Sequence, residues 1–189
     1  MPVRVTAGAF KGIALAAPKE IRATEAKVRL ALFNILGEFI HEARVLDGFA
    51  GSGTLGIEAL SRGASFVAFV DSDTESVLSI RQNLERFSDE LPREAWRLLH
   101  MDLERAIPEL AQSEPPFDVI LLDPPYRTDE GKKALNDVVQ CAILAPAGLV
   151  VVEHHQRTVL PTVIGPLQHG KRHRYGDTVL SFYWRPSGT

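Results

Sequence analysis

From residue 44 onward, short apolar runs alternate with stretches whose apolar positions recur every three or four residues. Arg44–Leu46, Phe66–Val70, Arg97–His100, Val119–Leu122 and Leu149–Val152 read as strands. Thr54–Arg62, Thr74–Phe87, Leu103–Ala111 and Gly131–Leu144 read as helices. This alternation predicts an α/β fold with a doubly wound, mostly parallel sheet and helices on both faces. The densest apolar run lies in Phe117-Asp118-Val119-Ile120-Leu121-Leu122-Asp123-Pro124-Pro125-Tyr126. A run of this kind suits a strand buried on both faces. The two prolines stop it, because proline lacks the N–H a ladder needs and has a fixed φ. Asp123 and Tyr126 are therefore expected at the carboxyl edge of the sheet, where open α/β folds place their ligands.

The ends of the chain have a different pattern. Residues 3–16 predict two short strands around a glycine-containing turn. Residues 25–40 predict a helix with an apolar stripe of Val28, Leu32, Ile35, Leu36 and Phe39, with Thr24 as its N-cap. In the tail, Thr158–Ile164 and Thr178–Trp184 predict strands joined by a basic, histidine-containing connection, forming an antiparallel hairpin on the sheet edge.

With 189 residues the chain can build one good core and a small appendage. One cysteine, Cys141, allows no disulfide within the chain and suggests no thiolate metal site. No apolar run nears the length of a membrane span, and the N-terminus lacks an apolar signal core. A cytoplasmic protein without membrane or metal is the expectation. The net charge of −3 conceals a division. Residues 1–44 carry seven Lys/Arg against four Asp/Glu, residues 45–165 ten against nineteen, and residues 166–189 four against one. Basic ends on an acidic body fit a polyanionic partner if the cations converge. Arg4 and Lys11 fall on the first two strands and their turn, and Lys171, Arg172 and Arg174 in the tail connection. Arg22, Lys27 and Arg29 cluster at a helix start, where the helix dipole disfavours cations, which points to an external anion.

The first strand of the alternating region runs into Asp47-Gly48-Phe49-Ala50-Gly51-Ser52-Gly53-Thr54-Leu55-Gly56. Its glycines allow a sharp turn and close approach to a ligand, and Thr54 opens a helix whose free N–H groups face that ligand. Asp71 ends the second strand, where an acid can accept from both hydroxyls of a ribose. Two cofactor classes use this geometry. Gly51-x-Gly53-x-x-Gly56 matches the dinucleotide fingerprint. Asp47, just before the turn, instead suits the ammonium of an amino-acid group, as in S-adenosylmethionine. The expected cofactor contacts are Asp47, Gly48, Phe49, Ala50, Gly51 and Gly53, then Asp71 and Ser72, then Asp102 and Leu103. Asp102 is placed either to accept from an adenine amine or to cap the following helix.

In a doubly wound sheet the first and fourth strands are neighbours at the switch point, so the glycine loop and Asp123-Pro124-Pro125-Tyr126 face one crevice. An exocyclic base amine is a weak nucleophile because its lone pair is delocalised into the ring. The Asp123 carboxylate and the Pro124 carbonyl can accept its two hydrogens and aim the nitrogen, while Tyr126 stacks on the base. Pro125 stiffens the turn. A hydride-transferring oxidoreductase fits less well, since no acid or base for that chemistry stands out and Asp47 and Pro124-Pro125 go unexplained. A non-catalytic RNA-binding module leaves Asp123, Gly51 and Gly53 without a purpose. His154-His155 lacks a second ligand cluster at metal-site spacing, and His41, His100, His169 and His173 read as surface residues.

These motifs resemble those of the RsmD-type 16S ribosomal RNA (guanine-N2)-methyltransferases across nearly the whole chain. The resemblance is carried by Val5-Thr6-Ala7-Gly8 with Lys11-Gly12, by Arg22-x-Thr24 with Val28-Arg29, by Ala31–Leu36, and by Leu46–Gly53 with Leu55-Gly56. Glu58–Gly63, Asp123–Tyr126 and Tyr175-Gly176-Asp177-Thr178 complete it. Ala26 and Leu30 stand where that family usually has acids. The resemblance implies the seven-stranded sheet of class I S-adenosylmethionine methyltransferases. Residues 1–40 would be an RNA-contacting hairpin and helix, and residues 41–189 the methyltransferase domain. It implies S-adenosyl-L-methionine as cofactor and 16S ribosomal RNA in a small-subunit assembly particle as substrate, with the target base drawn from its stack. A monomer is expected. Adenine-N6 or cytosine-N4 methylation of RNA or DNA remains the alternative, because an Asp-Pro-Pro-Tyr edge does not separate these amines.

Overall fold

The computed structural model describes residues 3–16, 23–125 and 128–186, the side chains of residues 23–25 aside. Its elements run β1 (Val3–Arg4), β2 (Ala14–Leu15), α1 (Ala23–Leu36), a 3-10 turn (Gly37–Ile40), β3 (Arg44–Asp47), α2 (Thr54–Ser61), β4 (Phe66–Asp71) and α3 (Thr74–Glu85). After a second 3-10 turn (Arg93–Ala95) come β5 (Trp96–His100), α4 (Leu103–Ser113), β6 (Phe117–Leu122), α5 (Glu130–Gln140), β7 (Leu144–His155), β8 (Val163–Ile164), β9 (Leu167–Tyr175) and β10 (Thr178–Trp184).

The sheet order is β5-β4-β3-β6-β7-β10-β9-β8. The first five of these are parallel, and β10, β9 and β8 extend the sheet antiparallel. Seven strands carry the sheet, and the two-residue β8 adds an eighth at the edge. β3 and β6 lie side by side, with Val45 opposite Val119, so the switch point falls where the pattern predicts it. β6 explains its own position. Val119 and Leu121 enter one core, with α1, α2 and α3, and Ile120 and Leu122 enter the other, with α4 and α5. A strand with apolar residues on both faces can only lie inside such a sandwich.

The N-terminal segment shares the first core. Val3, Val5, Phe10 and Leu15 are buried there, and Phe10 stacks on Phe87 of the turn after α3 at 4.2 Å between ring centres. Its polar anchor is Glu58 on α2, only 1% exposed. Glu58 accepts from the backbone N–H of Thr6 at 2.8 Å and of Ala7 at 3.1 Å, from the Thr6 hydroxyl, and from Arg62 Nε at 2.9 Å.

Several boundaries differ from the sequence reading. α1 starts before Thr24, so Thr24 lies inside the helix, and its side chain is outside the described residues. α5 stops at Gln140, because Ala142 turns the chain with a positive φ of 53° and β7 begins at Leu144. The larger correction is in the tail. Only Val163–Ile164 of the predicted Thr158–Ile164 strand is extended, and the basic connection is itself the nine-residue strand β9. Its half-buried positions explain this. His169 stacks on Tyr183 at 4.8 Å, and His173 meets the Phe182 ring edge-on at 5.7 Å. Both histidines act as inward-facing aromatic residues, not as the surface residues expected.

Candidate active site

Because β3, β4, β5 and β6 are parallel, the residues ending them emerge at one edge. There they surround a cleft of about 580 Å³. Gly48, Phe49, Gly51, Asp71, Ser72, Asp102, Leu103, Asp123 and Pro125 all line it, so the structure brings together most of the residues singled out by their motifs. The volume lies within the range of small-molecule sites.

The glycine loop is held by its own backbone. Gly48 N–H donates to Leu121 O at 2.9 Å, Ala50 N–H to Val70 O at 3.0 Å, and Gly53 N–H to Ala50 O at 2.7 Å. Asp71 steadies it from β4, accepting the Gly51 N–H at 2.7 Å through one oxygen and the Asp73 N–H at 2.8 Å through the other. Gly51 and Gly53 both have positive φ, at 54° and 76°, but they serve different ends. A Cβ at Gly51 would meet nothing within 4 Å, whereas one at Gly53 would press on Ile80 at 3.0 Å. Gly51 faces the cleft, and Gly53 faces the core.

Asp47, Ala50 and Gly53 stand behind the loop, not on the cleft surface expected for them. Asp47 is 1% exposed and accepts the Gly56 N–H at 2.9 Å. It thus caps α2 from the adjacent strand, since the residue at the N-cap position is Gly53, which has no side chain to do so. Burial raises the Asp47 carboxyl to about 7. The Gly56 hydrogen bond opposes that rise, and the charges of Asp123 and Asp71 add to it.

Across the cleft, Asp102 begins α4 without a side-chain capping bond. Met101, Asp73 and Glu104 also line the cleft, with Glu130, Lys133, Ala134 and Asp137 from one face of α5. These residues went unnoticed in the sequence. The spacing 130, 133, 134, 137 is a helical signal, but nothing in it says which face meets a ligand. Lys133 Nζ reaches Glu104 Oε2 at 3.0 Å, joining α5 to α4. Burial first, then Glu104, raises the Asp137 carboxyl. The wall is strongly acidic, with Lys133 its one cation among the described residues.

Asp123 is exposed at this edge. Pro124 is buried beneath it, against Gly131, and Pro125 borders the cleft. The Thr128 hydroxyl donates to Pro125 O at 2.8 Å and holds the turn. Tyr126 lies outside the described residues. Under the prolines, His154 is buried. One ring nitrogen is 2.9 Å from the His155 carbonyl, to which it donates, so the other accepts from Ser181 Oγ at 2.8 Å. Burial lowers the His154 pKa.

Residues 3–184 match the family described as conserved hypothetical protein 95. The putative rRNA methyltransferase YlbH of Bacillus subtilis is 37% identical over 183 residues, 96% of this chain and 98% of its own length. Ribosomal RNA small subunit methyltransferase D of Haemophilus influenzae is 34% identical over 153 residues, 80% of this chain and 78% of its own. The chain belongs to the ribosomal RNA small subunit methyltransferase D family. Among solved structures, the putative methyltransferase yhhF of Escherichia coli superposes with a TM-score of 0.85 at 28% identity, covering 98% of each chain.

In this member of the methyltransferase D family, the cations singled out for RNA take different positions. Lys11 and Lys27 are exposed on the N-terminal segment, and exposed Arg4 donates to Gly12 O at 2.7 Å across the hairpin. Arg22 lies outside the described residues. Arg29 is no surface cation. It is 6% exposed, donates to Arg4 O at 2.9 Å and lies 4.0 Å from Glu58. Its partner was in α2, and the helix-dipole reasoning could not see it. On β9, Arg172 pairs with Ser181 and Arg174 with Val179, so these two share a face, and exposed Lys171 lies at the register shift beside them. Among the described residues no His, Cys, Asp or Glu group is arranged to hold a metal, and no helix is long and apolar enough to cross a membrane.

Proposed function

We propose that this chain transfers a methyl group from S-adenosyl-L-methionine to the exocyclic N2 amine of a guanine in 16S ribosomal RNA. One juxtaposition carries the reading. Asp123 follows β6 and the glycine loop follows β3, its immediate parallel neighbour, and Asp123, Pro125, Gly48, Phe49 and Gly51 line one cleft.

The residues present fit the cofactor. Gly51 leaves open space where a side chain would stand, Asp71 is placed for ribose hydroxyls, and Asp102 makes no capping bond that competes with an adenine amine. The acidic wall suits a ligand bearing a cationic sulfonium. When bound, the cofactor supplies an electrophilic methyl group on that sulfonium. The chain contributes position and charge. Asp123 and the Pro124 carbonyl accept the two amine hydrogens and aim the nitrogen lone pair along the line of transfer. With the cofactor bound, transfer of its methyl group would leave positive charge on the amine nitrogen. Asp123 stabilises that charge and takes the surplus proton, which its exposure lets it return to water. Tyr126 stacks on the base.

Residues 1–40 form the RNA-contacting extension of the methyltransferase domain at 41–189, with Arg4, Lys11, Arg22, Lys27 and Lys171 meeting phosphates. The substrate is the RNA within a small-subunit assembly particle, and the enzyme works as a cytoplasmic monomer. Labelled methyl transfer onto such particles, followed by nucleoside analysis, tests this, and N2-methylguanosine is expected. N6-methyladenosine or N4-methylcytidine would replace the base assignment. Asp123→Ala is expected to abolish transfer while calorimetric cofactor affinity stays within a few-fold. Turnover near that of the parent would overturn the role of Asp123.

A further inference from the structure

The β6–β7 register sets Leu122 opposite Val152. The next residues, Asp123 just past the end of β6 and Glu153 within β7, therefore lie side by side, with strand axes roughly 4.8 Å apart. Side chains alternate along β7. Val150 and Val152 enter the core beneath α4 and α5, and Val151 enters the core shared with the N-terminal segment. Glu153 follows Val151 on that second side. It is half-buried, and its β10 partner is Leu180, fully buried in the same core. The cofactor cleft lies on the opposite side of Asp123, where Leu103 and Ala134 wall it. Asp123 thus stands between the cleft and Glu153, and Glu153 is on the side from which the N-terminal segment would present RNA.

The chemistry at that position separates the three candidate bases. In guanine, the carbon bearing the amine is flanked by N1–H, a donor. In adenine and cytosine, the ring nitrogen beside the amine-bearing carbon is an acceptor. A carboxylate next to the amine clamp attracts the first and repels the other two.

We propose that Glu153 is a specificity-determining residue, accepting the N1–H of the target guanine while Asp123 and Pro124 hold its N2 amine. This rests on the methyl-transfer reading of the site and extends it to base choice. Glu153 serves substrate selection and not the transfer step, so its loss should change which base is accepted more than how the cofactor binds.

The test uses 2-aminopurine, which keeps the 2-amine but presents an acceptor at N1. Small-subunit RNA is built with guanine or 2-aminopurine at the methylated position, assembled into particles, and assayed with the wild-type enzyme and with Glu153→Gln. The wild type is expected to prefer guanine by at least about 100-fold in kcat/KM, because a site built for an N–H rejects an analogue lacking it. The side-chain amide of the Glu153→Gln variant can accept from N1–H or donate to an N1 acceptor, so the preference should shrink to within about 10-fold. A merely structural role would lower both substrates together and leave the ratio unchanged. Equal action of the wild type on both bases overturns the proposal whatever the variant does. So does an unchanged ratio in a variant that binds cofactor normally by calorimetry. Should wild-type product be N6-methyladenosine or N4-methylcytidine, the base assignment itself fails and the proposal with it. N2-methylguanosine with an unaltered ratio sinks the Glu153 role alone.

Discussion

The Asp47 carboxylate at the end of β3 accepts the backbone N–H of Gly56, nine residues on, at 2.9 Å. That bond closes the glycine loop from beneath and fixes the first turn of α2, while Asp71 fixes Gly51 from β4. The loop is held by two acids on adjacent strands, one buried and one at the cleft. Burying the first has a cost, and it depends on pH.

The Asp47 carboxyl is raised to about 7, whereas an unfolded chain releases that proton near pH 4. Between these values the folded chain keeps a proton that the unfolded chain loses, so stability falls as the pH rises, by on the order of 3–4 kcal/mol in total. Asp47→Asn keeps an oxygen for Gly56 and removes the titration. Urea unfolding at pH 5, 6, 7 and 8 should show the variant gaining on the parent as pH increases. Parallel curves would show that Asp47 is ionised throughout.

Gly51 and Gly53 should separate binding from folding. A Cβ at Gly51 enters open space at the cleft, and one at Gly53 meets Ile80 at 3.0 Å and Phe69 at 3.4 Å. Both have positive φ, so each alanine substitution costs roughly 1–2 kcal/mol of backbone strain. Gly51→Val is expected to weaken calorimetric S-adenosylmethionine affinity at least about tenfold, beyond its effect on stability. Gly53→Ala should lose a further ~1–3 kcal/mol in denaturant unfolding through overpacking, with the smaller loss of affinity. The reverse ranking would exchange their assigned roles.

The parallel sheet was legible because β6 is apolar on consecutive residues and ends in Asp123-Pro124-Pro125, and because the βα alternation admits few topologies. The cleft was legible wherever a motif names both a residue type and an element end, as at Gly51, Asp71 and Asp123. Strand β9 was not. Its Lys, Arg and Gln residues hide two inward contacts, and the register shift between Ser181 and Tyr183 breaks the period of two, so that His169 packs on Tyr183 and His173 on Phe182 on opposite sides of the sheet. Arg29 was misread because its electrostatic partner, Glu58, lies on a different helix, 29 residues away in sequence. Side-chain direction within a loop was equally hidden. Asp47 and Gly51 belong to the same motif, and only the packing of α2 on β4 shows that one faces inward and the other outward.

Glu58 on α2 anchors the N-terminal segment. It is 1% exposed and satisfies the Thr6 and Ala7 N–H groups together with Arg62, with Arg29 at 4.0 Å. Burial pulls the Arg29 guanidinium below its ordinary pKa, and Glu58 opposes that pull. Glu58→Ala leaves cations and backbone donors unpaired inside the protein, at a cost of about 3–5 kcal/mol. Hydrogen exchange should quicken first at residues 5–10, with β4 and β6 still protected. Uniform loss of protection would mean that the N-terminal segment and sheet unfold as one unit.

Phosphate contacts should register in the salt dependence of RNA binding. Lys11 and Lys27 are exposed on the N-terminal segment and Lys171 on β9, and none lines the cleft. Each single-strand phosphate contact contributes about 0.7 to the slope of log affinity against log salt, and each duplex contact about 0.9. The triple alanine variant should therefore flatten that slope by roughly 2–3 and leave calorimetric cofactor affinity unchanged. Arg29→Ala provides the contrast. Its guanidinium is committed to Arg4 O and lies beside Glu58, so its removal should lower the unfolding midpoint and leave the salt slope in place. A triple variant with the parent's slope would move the RNA path away from these lysines. An Arg29→Ala slope reduced by a full contact would mean that the guanidinium turns outward when RNA binds.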